Sequence, residues 1–598
     1  MSLVSRGMSI MEMYRLYRNN QLIVNRKYQR KLVWTLEEKR RLVESILKAY
    51  PIPLILLAEI PKERYEIIDG IQRLNSIFGF IENLFGVIQS NDEIYLNTKL
   101  FPLANTNAEK GIFTPKNDGT IKFFDSDTTS ALLEYQIPIT VYHAKNENEI
   151  NEIFRRINSY GKHLSPQEVR QAGVTTKFTE LVRELGAEFR GDVSKEILSL
   201  TEMPEISIEG KTIKLGYRIN AEETFWCEQG ILNVSQLRNS EDEQLIADLV
   251  LSIALNEPFP ASKEEFDCYY GKNEPDKSDK SNIIEIAINK YGAENLKNEI
   301  KIVYSKIKDM VETYANGEKL KTILNPKAGG NPVKEPFYTF FMATHNLMFK
   351  EGKEPFIIEE IFKALNNLAA KNKRGSHSVR SEDRKNNIAT CKGLIQDYFK
   401  VAKNIARSSG TLALDFENYL RRSKVEAPMY DYKQGLYSLD TKDRKINEEM
   451  FEKIYQNIAA FANLGKGKKG YLFIGVTDKE ADTVRIEQID KISKVPRVGT
   501  FGVVGLEREA KLKGLTLDKY ISSITQKISE SKLPDDLKIK VNTSITPITY
   551  RGFTILMIEV VAGSAPVWYK DSLYIRDGAS CKELKGGSEI SSVFELFK

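Results

Sequence analysis

The sequence predicts an α/β protein of several domains, with a helical stretch between two mixed ends. Three observations carry that expectation. At 598 residues the chain exceeds what one hydrophobic core serves, which points to roughly three or four domains. β-prone runs meet helical-period segments near both ends, around 64–81 and again between 450 and 580. Between them, from Thr175 to about Asn404, apolar residues recur at helical spacing.

Composition narrows the function classes. Hydrophobic residues at 41% and charged residues at 28% describe a globular chain, not a disordered one. The net charge is only +5 (87 basic minus 82 acidic), so any affinity for nucleic acid has to come from local patches. Cys227, Cys268, Cys391 and Cys581 lie far apart with no CxxC, which argues against zinc fingers and a disulfide framework. The start, Met1 to Gly7, has no apolar signal core, and no 18-residue apolar run occurs. The expected setting is cytoplasmic and reducing. No GxxxxGK[ST] sequence is present, which argues against a P-loop ATPase.

The first element with chemistry in it is the junction at Arg64–Ile81. Arg64 to Ile68 is β-prone, Asp69 and Gly70 break the strand, and a helix follows with Leu74, Ile77, Phe78 and Ile81 on one face. Such a junction aims backbone N–H groups, the Arg73 guanidinium and the Gln72 amide at the space above the helix start, a place that suits a phosphate. Upstream, Arg26 to Trp34 brings three Lys/Arg among its first five residues and includes Tyr28, Gln29 and Arg30. Downstream, a strand over Tyr135–Tyr142 precedes Ile153–Ser165. There an Asn158/Gly161 turn presents Arg155, Arg156 and Lys162, and Ser165, Pro166 and Glu168 form a capping box with proline at the first helical position.

Each piece alone is an ordinary turn. Together, in this order, Tyr28-Gln-Arg30 with Trp34, Asp69-Gly-x-Gln-Arg73 and Phe154-x-Arg-Ile-Asn158 resemble the DUF262 family, whose fold is similar to ParB-type nucleases and nucleotide hydrolases. The resemblance implies nucleotide binding and hydrolysis, and in some members DNA nicking. On this chain Tyr28, Gln29, Arg30, Gly70 and Arg73 would form the nucleotide site. Arg30 and Arg73 would neutralise phosphate, Gln72 would orient a water or a phosphate oxygen, and Asp69 would hold a metal or polarise the water. Ile71 stands where the family commonly has Gln, so one polar contact is absent.

The middle carries helical periodicity in Leu245–Ala254, Ile283–Tyr291, Ile300–Val311 and Phe356–Leu368. Lys263 to Asn282, charged and poor in large apolar residues, is expected to be an exposed loop. Phe225-Trp226 and Phe337–Phe341 suit helical core better than stacking platforms for bases. From Ile361 to Lys424 there are fourteen Lys/Arg against five Asp/Glu, densest around Lys371, Lys373, Arg374 and Arg380. A solvated helix face is the plain reading of such a run; its one-sided charge suggests a phosphate-facing surface.

The second block with chemistry begins near Leu412. Glu426 and Asp431 stand five residues apart with Lys433 just after, and an amphipathic helix follows, with Met450, Phe451, Ile454, Ile458 and Phe461 on its apolar face. The turn Asn463–Gly470 carries Lys466, Lys468 and Lys469, the strand Tyr471–Val476 leads to Asp478, and further strands are expected over Phe553–Val561 and Ser572–Ser580. An acid pair before a lysine, an Ala-Phe-Ala-Asn helix end, a Gly-Val-x-Asp strand end and a Tyr-Ile-Arg-x-Gly strand resemble the Schlafen/AlbA_2 domain over roughly Thr411–Lys598. In nucleolytic members the resemblance implies a catalytic triad, here Glu426, Asp431 and Asp478, holding Mg2+ or Mn2+ that activates water. Other members bind nucleic acid without cutting it. Lys433, Lys466, Lys468, Lys469 and Arg576 would then contact the nucleic acid. Asp431 replaces the usual Glu, one methylene shorter, and the lysine turn is longer than usual.

The expected architecture is therefore a ParB-like α/β domain over 1–175, a mainly helical domain over 176–410, and an α+β Schlafen-like domain over 411–598. Four histidines (His143, His163, His345, His377), with no HNH-like cluster, argue against the HNH half often joined to DUF262 domains. The pairing implies a prokaryotic anti-phage nuclease that binds or hydrolyses a nucleoside triphosphate at one end and binds or cleaves DNA or RNA at the other. A non-catalytic nucleic-acid-binding regulator and a nucleotide-sensing scaffold stand as alternatives. Expected partners are nucleotide and nucleic acid, with homo-oligomer formation left open and no membrane.

Overall fold

The computed structural model describes residues 3–26, 31–116, 119–144, 149–150, 152–154, 156, 164–172, 174–192, 197–210, 215–260, 262–272, 279–314, 317–372, 379–402, 409–422, 427–440 and 444–597. It is a mixed α/β structure with several small sheets and a helical middle region. Contacts divide the chain into two compact units. The first comprises Met1–Tyr304 with Asn316–Ile405, and the second Ser305–Ala315 with Ala406–Lys598. No described helix is long and apolar enough to cross a membrane.

The first unit is organised by a six-stranded sheet of β1 (Leu3–Ser9), β2 (Leu22–Asn25), β3 (Ile55–Ile60), β4 (Arg64–Asp69), β5 (Gln136–His143) and β6 (Ile197–Ser199). Their spatial order is β1-β5-β3-β4-β2-β6, with the β3–β5 and β2–β4 pairs parallel and the others antiparallel. Helices α1 (Leu36–Leu47) and α2 (Ile71–Ile81) pack on it through Leu42, Val43, Leu74, Ile77, Phe78 and Ile81, all in one apolar cluster. The strand–Gly–helix expectation at 64–81 holds, and so does the capping box at Ser165–Glu168. Each α1 and α2 apolar stripe buries against strands whose own residues alternate or run apolar, which supplies most of the stabilisation of such short elements.

Four differences from the sequence expectations have physical causes. Lys263–Tyr269 is a helix, because Ser262 caps it and Phe266 and Cys268 pack inward. The expected helix over Phe356–Leu368 begins only at Ile358, leaving Phe356 exposed, and is broken before a short helix at Leu368–Lys371. The strand expected over Ser572–Ser580 is a hairpin, because Gly578 adopts φ 56° and turns the chain. Part of the basic excess over 361–424 is spent on ion pairs. Arg384 lies buried on Asp248 and Glu335, and Lys363, Lys392, Lys400 and Arg421 each pair with a glutamate. Phe225, Trp226, Phe337, Phe340 and Phe341 are core, as their spacing suggests.

The second unit holds a four-stranded sheet of β7 (Tyr430–Lys433), β8 (Lys469–Ile474), β9 (Ile545–Tyr550) and β10 (Phe553–Val561), ordered β7-β8-β10-β9 with β7 and β8 parallel. The hairpin strands β11 (Ser572–Asp577) and β12 (Ser580–Leu584) form a separate sheet with Trp568–Tyr569. Helix α3 (Glu448–Ala462) drives Phe451, Ile454, Ile458 and Phe461 into a core shared with Leu472, Ile474, Leu556 and Ile558. Gly470 is obligatory at the start of β8, because a β-carbon there would overlap the Phe461 ring.

One buried cation stands out in the first unit. Lys39 of α1 is 1% exposed; its Nζ donates to Tyr217 Oη at 2.8 Å and sits 4.7 Å from that ring's centroid. Burial pulls its ammonium down to about 7, with nearby Arg238 acting in the same direction and Glu209 opposing. The unfolded chain holds this proton up to a pH near 10.5, whereas the folded chain releases it near 7. The stability that Lys39 contributes is therefore full above about 10.5 and lost as pH falls towards 7, a change of up to about 5 kcal/mol. Hydrogen exchange across Leu36–Leu47 should slow as pH-corrected stability rises over that window. Lys39→Met should abolish the slope; an unchanged slope would assign the titration to another group.

Candidate functional sites at two strand ends

In the first unit the candidate site is built where β4 runs into α2. Gly70, at φ 106°, makes the left-handed step that lets the strand end turn into the helix, and a β-carbon there would press on Ile55. Asp69 thereby ends the strand half-exposed, and Arg73 lies one helical turn on. Arg73 Nη2 donates to Asp69 Oδ2 at 2.7 Å and to the Leu54 carbonyl at 2.9 Å. Both of these hydrogen bonds use Nη2, and the buried Nε finds no acceptor among the described residues. The guanidinium is thus anchored through Nη2 beside an Nε–H that lacks an acceptor among the described residues, a charged donor of the kind that binds phosphate oxygens.

Gln72 takes a different part from the one its motif suggests. It is 4% exposed, and its Oε1 accepts from the backbone N–H groups of Val33 (3.1 Å) and Trp34 (3.2 Å) while Nε2 donates to the Lys31 carbonyl at 2.7 Å. Its amide is committed to the segment just upstream, so in this structure it positions that segment instead of facing solvent. Lys31 itself is buried, with Nζ 3.1 Å from Ser240 Oγ and 3.4 Å from Glu243 Oε1. Arg26 forms a two-pronged pair with the buried Asp192. Tyr28, Gln29 and Arg30, expected in the nucleotide site, lie outside the described residues, as do Arg155 and Lys162. Arg156 is exposed and pairs with Glu152.

In the second unit Asp431 sits on β7 with its carboxylate between two cations. Lys433 Nζ is 2.5 Å from Oδ2, and Arg576 Nη1 is 3.5 Å from Oδ1. Arg576, expected to contact nucleic acid, has a fully buried side chain. Its guanidinium binds Asn457 Oδ1 and the carbonyls of Tyr430 (2.9 Å) and Ala579 (2.8 Å), 5.2 Å from the Phe461 ring centroid. The expectation for Arg576 is corrected: it ties β7, α3 and the β11–β12 hairpin together. Asn457, which sequence reading passes over, is its partner. The signal was present, since an asparagine flanked by Ile454 and Ile458 on a buried helix face needs a polar neighbour. Asn463, the last residue of the Ala-Phe-Ala-Asn segment, is likewise buried, bonded to the backbone of Val567 and Tyr574.

Glu426 lies outside the described residues. Asp478 is exposed; Asp431 pairs in register with Leu472, six positions before it, and Gly475 (φ 105°) bends the chain between. No group of three or more His, Cys, Asp or Glu side chains among the described residues could hold a metal ion. With Asp431 already neutralised by Lys433 and Arg576, the described donors do not by themselves make a site for Mg2+ or Mn2+.

The lysine turn fares differently. Lys466, Lys468 and Lys469 are all exposed, and among the described residues only Lys469 has a carboxylate neighbour, Glu559 at 2.9 Å. The turn's backbone is fixed: Lys466 N–H donates to Leu596, Gly467 N–H to Ala562, and the Lys468 carbonyl accepts from Ala562 N–H at 2.8 Å. Two uncompensated ammonium groups on a rigid turn make a fitting phosphate contact. In the first unit, Lys371 and Arg380 are exposed, Lys371 Nζ resting 3.2 Å from the Ala364 carbonyl; Lys373 and Arg374 lie outside the described residues.

Comparison with known proteins agrees with the motifs. Residues 11–175 match the family model of the GmrSD restriction endonuclease N-terminal domain, a DUF262-type family, and residues 426–585 match the Schlafen AlbA_2 family. The chain carries both, in the order the motifs indicate. No curated protein matches. Among solved structures, the DIP2311 protein from Corynebacterium diphtheriae is similar at 20% identity over 26% of this chain and 22% of its own, with a TM-score of 0.17. The match thus spans about a fifth of that protein's length.

If Gln72 positions the upstream segment, Gln72→Ala should speed exchange of the Val33 and Trp34 amides and cost about 2 kcal/mol of stability. Exchange unchanged at both amides would refute that role.

Proposed function

We propose that this chain is a nuclease-type protein acting on foreign nucleic acid. A nucleoside triphosphate binds at the Asp69–Arg73 junction, and nucleic acid is engaged by the Schlafen-like unit. The observation that carries the reading is the Arg73 guanidinium, anchored through Nη2 with Nε unsatisfied, inside a segment that matches a restriction endonuclease N-terminal domain. Arg73 takes the phosphate charge, and Asp69 holds the guanidinium in register and faces the water. Gln72 and Gly70 hold the frame around them. In the second unit Lys466 and Lys468 meet the phosphate backbone, supported by Lys469 and Lys433, with sequence-independent affinity.

A second reading has a specific observation behind it. Asp431 carries two cations on its carboxylate, which favours a unit that binds nucleic acid without cutting it. Cleavage assays separate the two readings.

Phosphate release from the four nucleoside triphosphates, with Mg2+ present and labelled DNA and tRNA in the same reactions, tests the proposal directly. Arg73→Ala should lower turnover by ~10²-fold. Lys466→Glu with Lys468→Glu should weaken nucleic-acid binding and flatten its salt dependence by about two phosphate contacts. Absence of both turnover and cleavage, with binding intact, would establish the non-catalytic reading; absence of nucleic-acid binding would overturn both.

A further inference from the structure

In the helical part of the first unit, the helices Glu241–Ala254, Asp279–Tyr291, Ala293–Thr313 and Lys334–His345 enclose a cavity of about 200 Å³. His345, 3% exposed at the side chain, lines it and ends the last of these helices. Its Nε2 lies 3.0 Å from Glu299 Oε2, and Tyr291 Oη donates to the same oxygen at 2.6 Å. Burial raises the Glu299 carboxyl, but the hydrogen bonds from His345 and Tyr291 outweigh it and bring it below its ordinary range. Glu299 is therefore an acceptor for a proton on Nε2, and in the neutral imidazole that arrangement leaves a lone pair on Nδ1. Nδ1 is buried and has no partner among the described residues. An unpaired polar atom in such a place is costly unless something completes it.

The chain beyond His345 does not continue as an α-helix. Asn346–Lys350 is a π-helical turn, whose i→i+5 spacing carries Lys350 to the same side as His345; in an α-helix the two would diverge by about 140°. Phe349 stacks on the imidazole at a centroid distance of 5.3 Å. Lys350, exposed at the rim, gives one hydrogen bond to Asn256 Oδ1 at 2.7 Å and has no carboxylate partner among the described residues. Ile253 and Met342 supply apolar wall. The cavity lining therefore combines the unpartnered His345 Nδ1, the His345-bound Glu299 carboxylate, apolar side chains and the Lys350 cation.

We infer that this cavity is a binding site for a small organic anion, flat and largely apolar, with a hydroxyl or N–H donor at the end opposite its negative group. The anion faces Lys350 and the donor faces His345 Nδ1. Its volume is below the roughly 300–1,000 Å³ of pockets for drug-sized ligands, so a nucleoside triphosphate is too large. This site is separate from the Asp69–Arg73 junction and does not rest on the function proposed there.

Isothermal titration of the full chain with 4-hydroxybenzoate tests the inference. Binding is expected to be saturable. Benzoate, lacking the donor, and 4-hydroxybenzyl alcohol, lacking the anion, should each bind at least ~10-fold more weakly. Lys350→Met, an exposed change that leaves the core intact, and His345→Phe, which keeps the stacked ring but removes Nδ1, should each weaken 4-hydroxybenzoate to a similar degree. Should His345→Phe fail to fold, the benzoate arm and Lys350→Met decide the matter. No binding to wild type, equal affinity for all three compounds, or affinity unchanged in Lys350→Met would overturn the inference.

Discussion

The candidate site in the first unit depends on one buried amide. Gln72 ties the start of α2 to the backbone at Lys31, Val33 and Trp34 through three hydrogen bonds, so the two sequence-distant halves of the motif meet through a side chain that never sees solvent. Without it, Lys31 to Trp34 would leave two N–H groups and a carbonyl without those partners beside the helix start. With it, Asp69 and Arg73 are presented at the surface from a fixed base. The motif's chemistry is divided: the charged residues face outwards, and the amide holds the frame.

The second unit obeys the same rule at a larger scale. Arg576 and Asp431 look like surface chemistry in the sequence, yet Arg576 spends its guanidinium on Asn457 and two carbonyls and neutralises Asp431 from below. Glu509, fully buried, accepts from the N–H groups of Leu436 and Tyr437 and from Tyr520 Oη, pinning the segment that follows β7. Gly435 must be glycine there, since a β-carbon would overlap Glu509. Removing one member of such a buried set strands the others, at a cost of about 3–5 kcal/mol. Motif residues of this kind are retained by the fold as firmly as by any ligand.

Much of this was legible in the sequence, and the exceptions share a cause. Local signals served well: the Gly70 junction, the Ser165 cap, the stripe Phe451–Phe461 and the aromatic core at Phe337–Phe341 all depend on neighbours within a turn or two. Charge was misjudged because its partners are remote. Arg384 belongs to the basic run 361–424 by sequence, but its carboxylates come from Asp248 and Glu335, and its guanidinium lies 3.8 Å from the Tyr338 ring centroid. Gln72 was misread for a related reason. An amide beside an arginine suggests a ligand, and only the three-dimensional path of Lys31–Trp34 shows that backbone groups have already claimed it.

The strand order of the first unit also governs how the chain comes into being. Leu3 pairs with Tyr142 and Val24 with Leu198, so β1 and one side of β2 wait for partners far downstream. At ribosomal speeds that interval is roughly ten to forty seconds. During it β1 and β2 exist without their final neighbours, and closing such long loops is slow once the partners emerge. Both pairings become possible once Ser199 has been made, about a third of the way along the chain, so any demand of this sheet for protection during synthesis falls early.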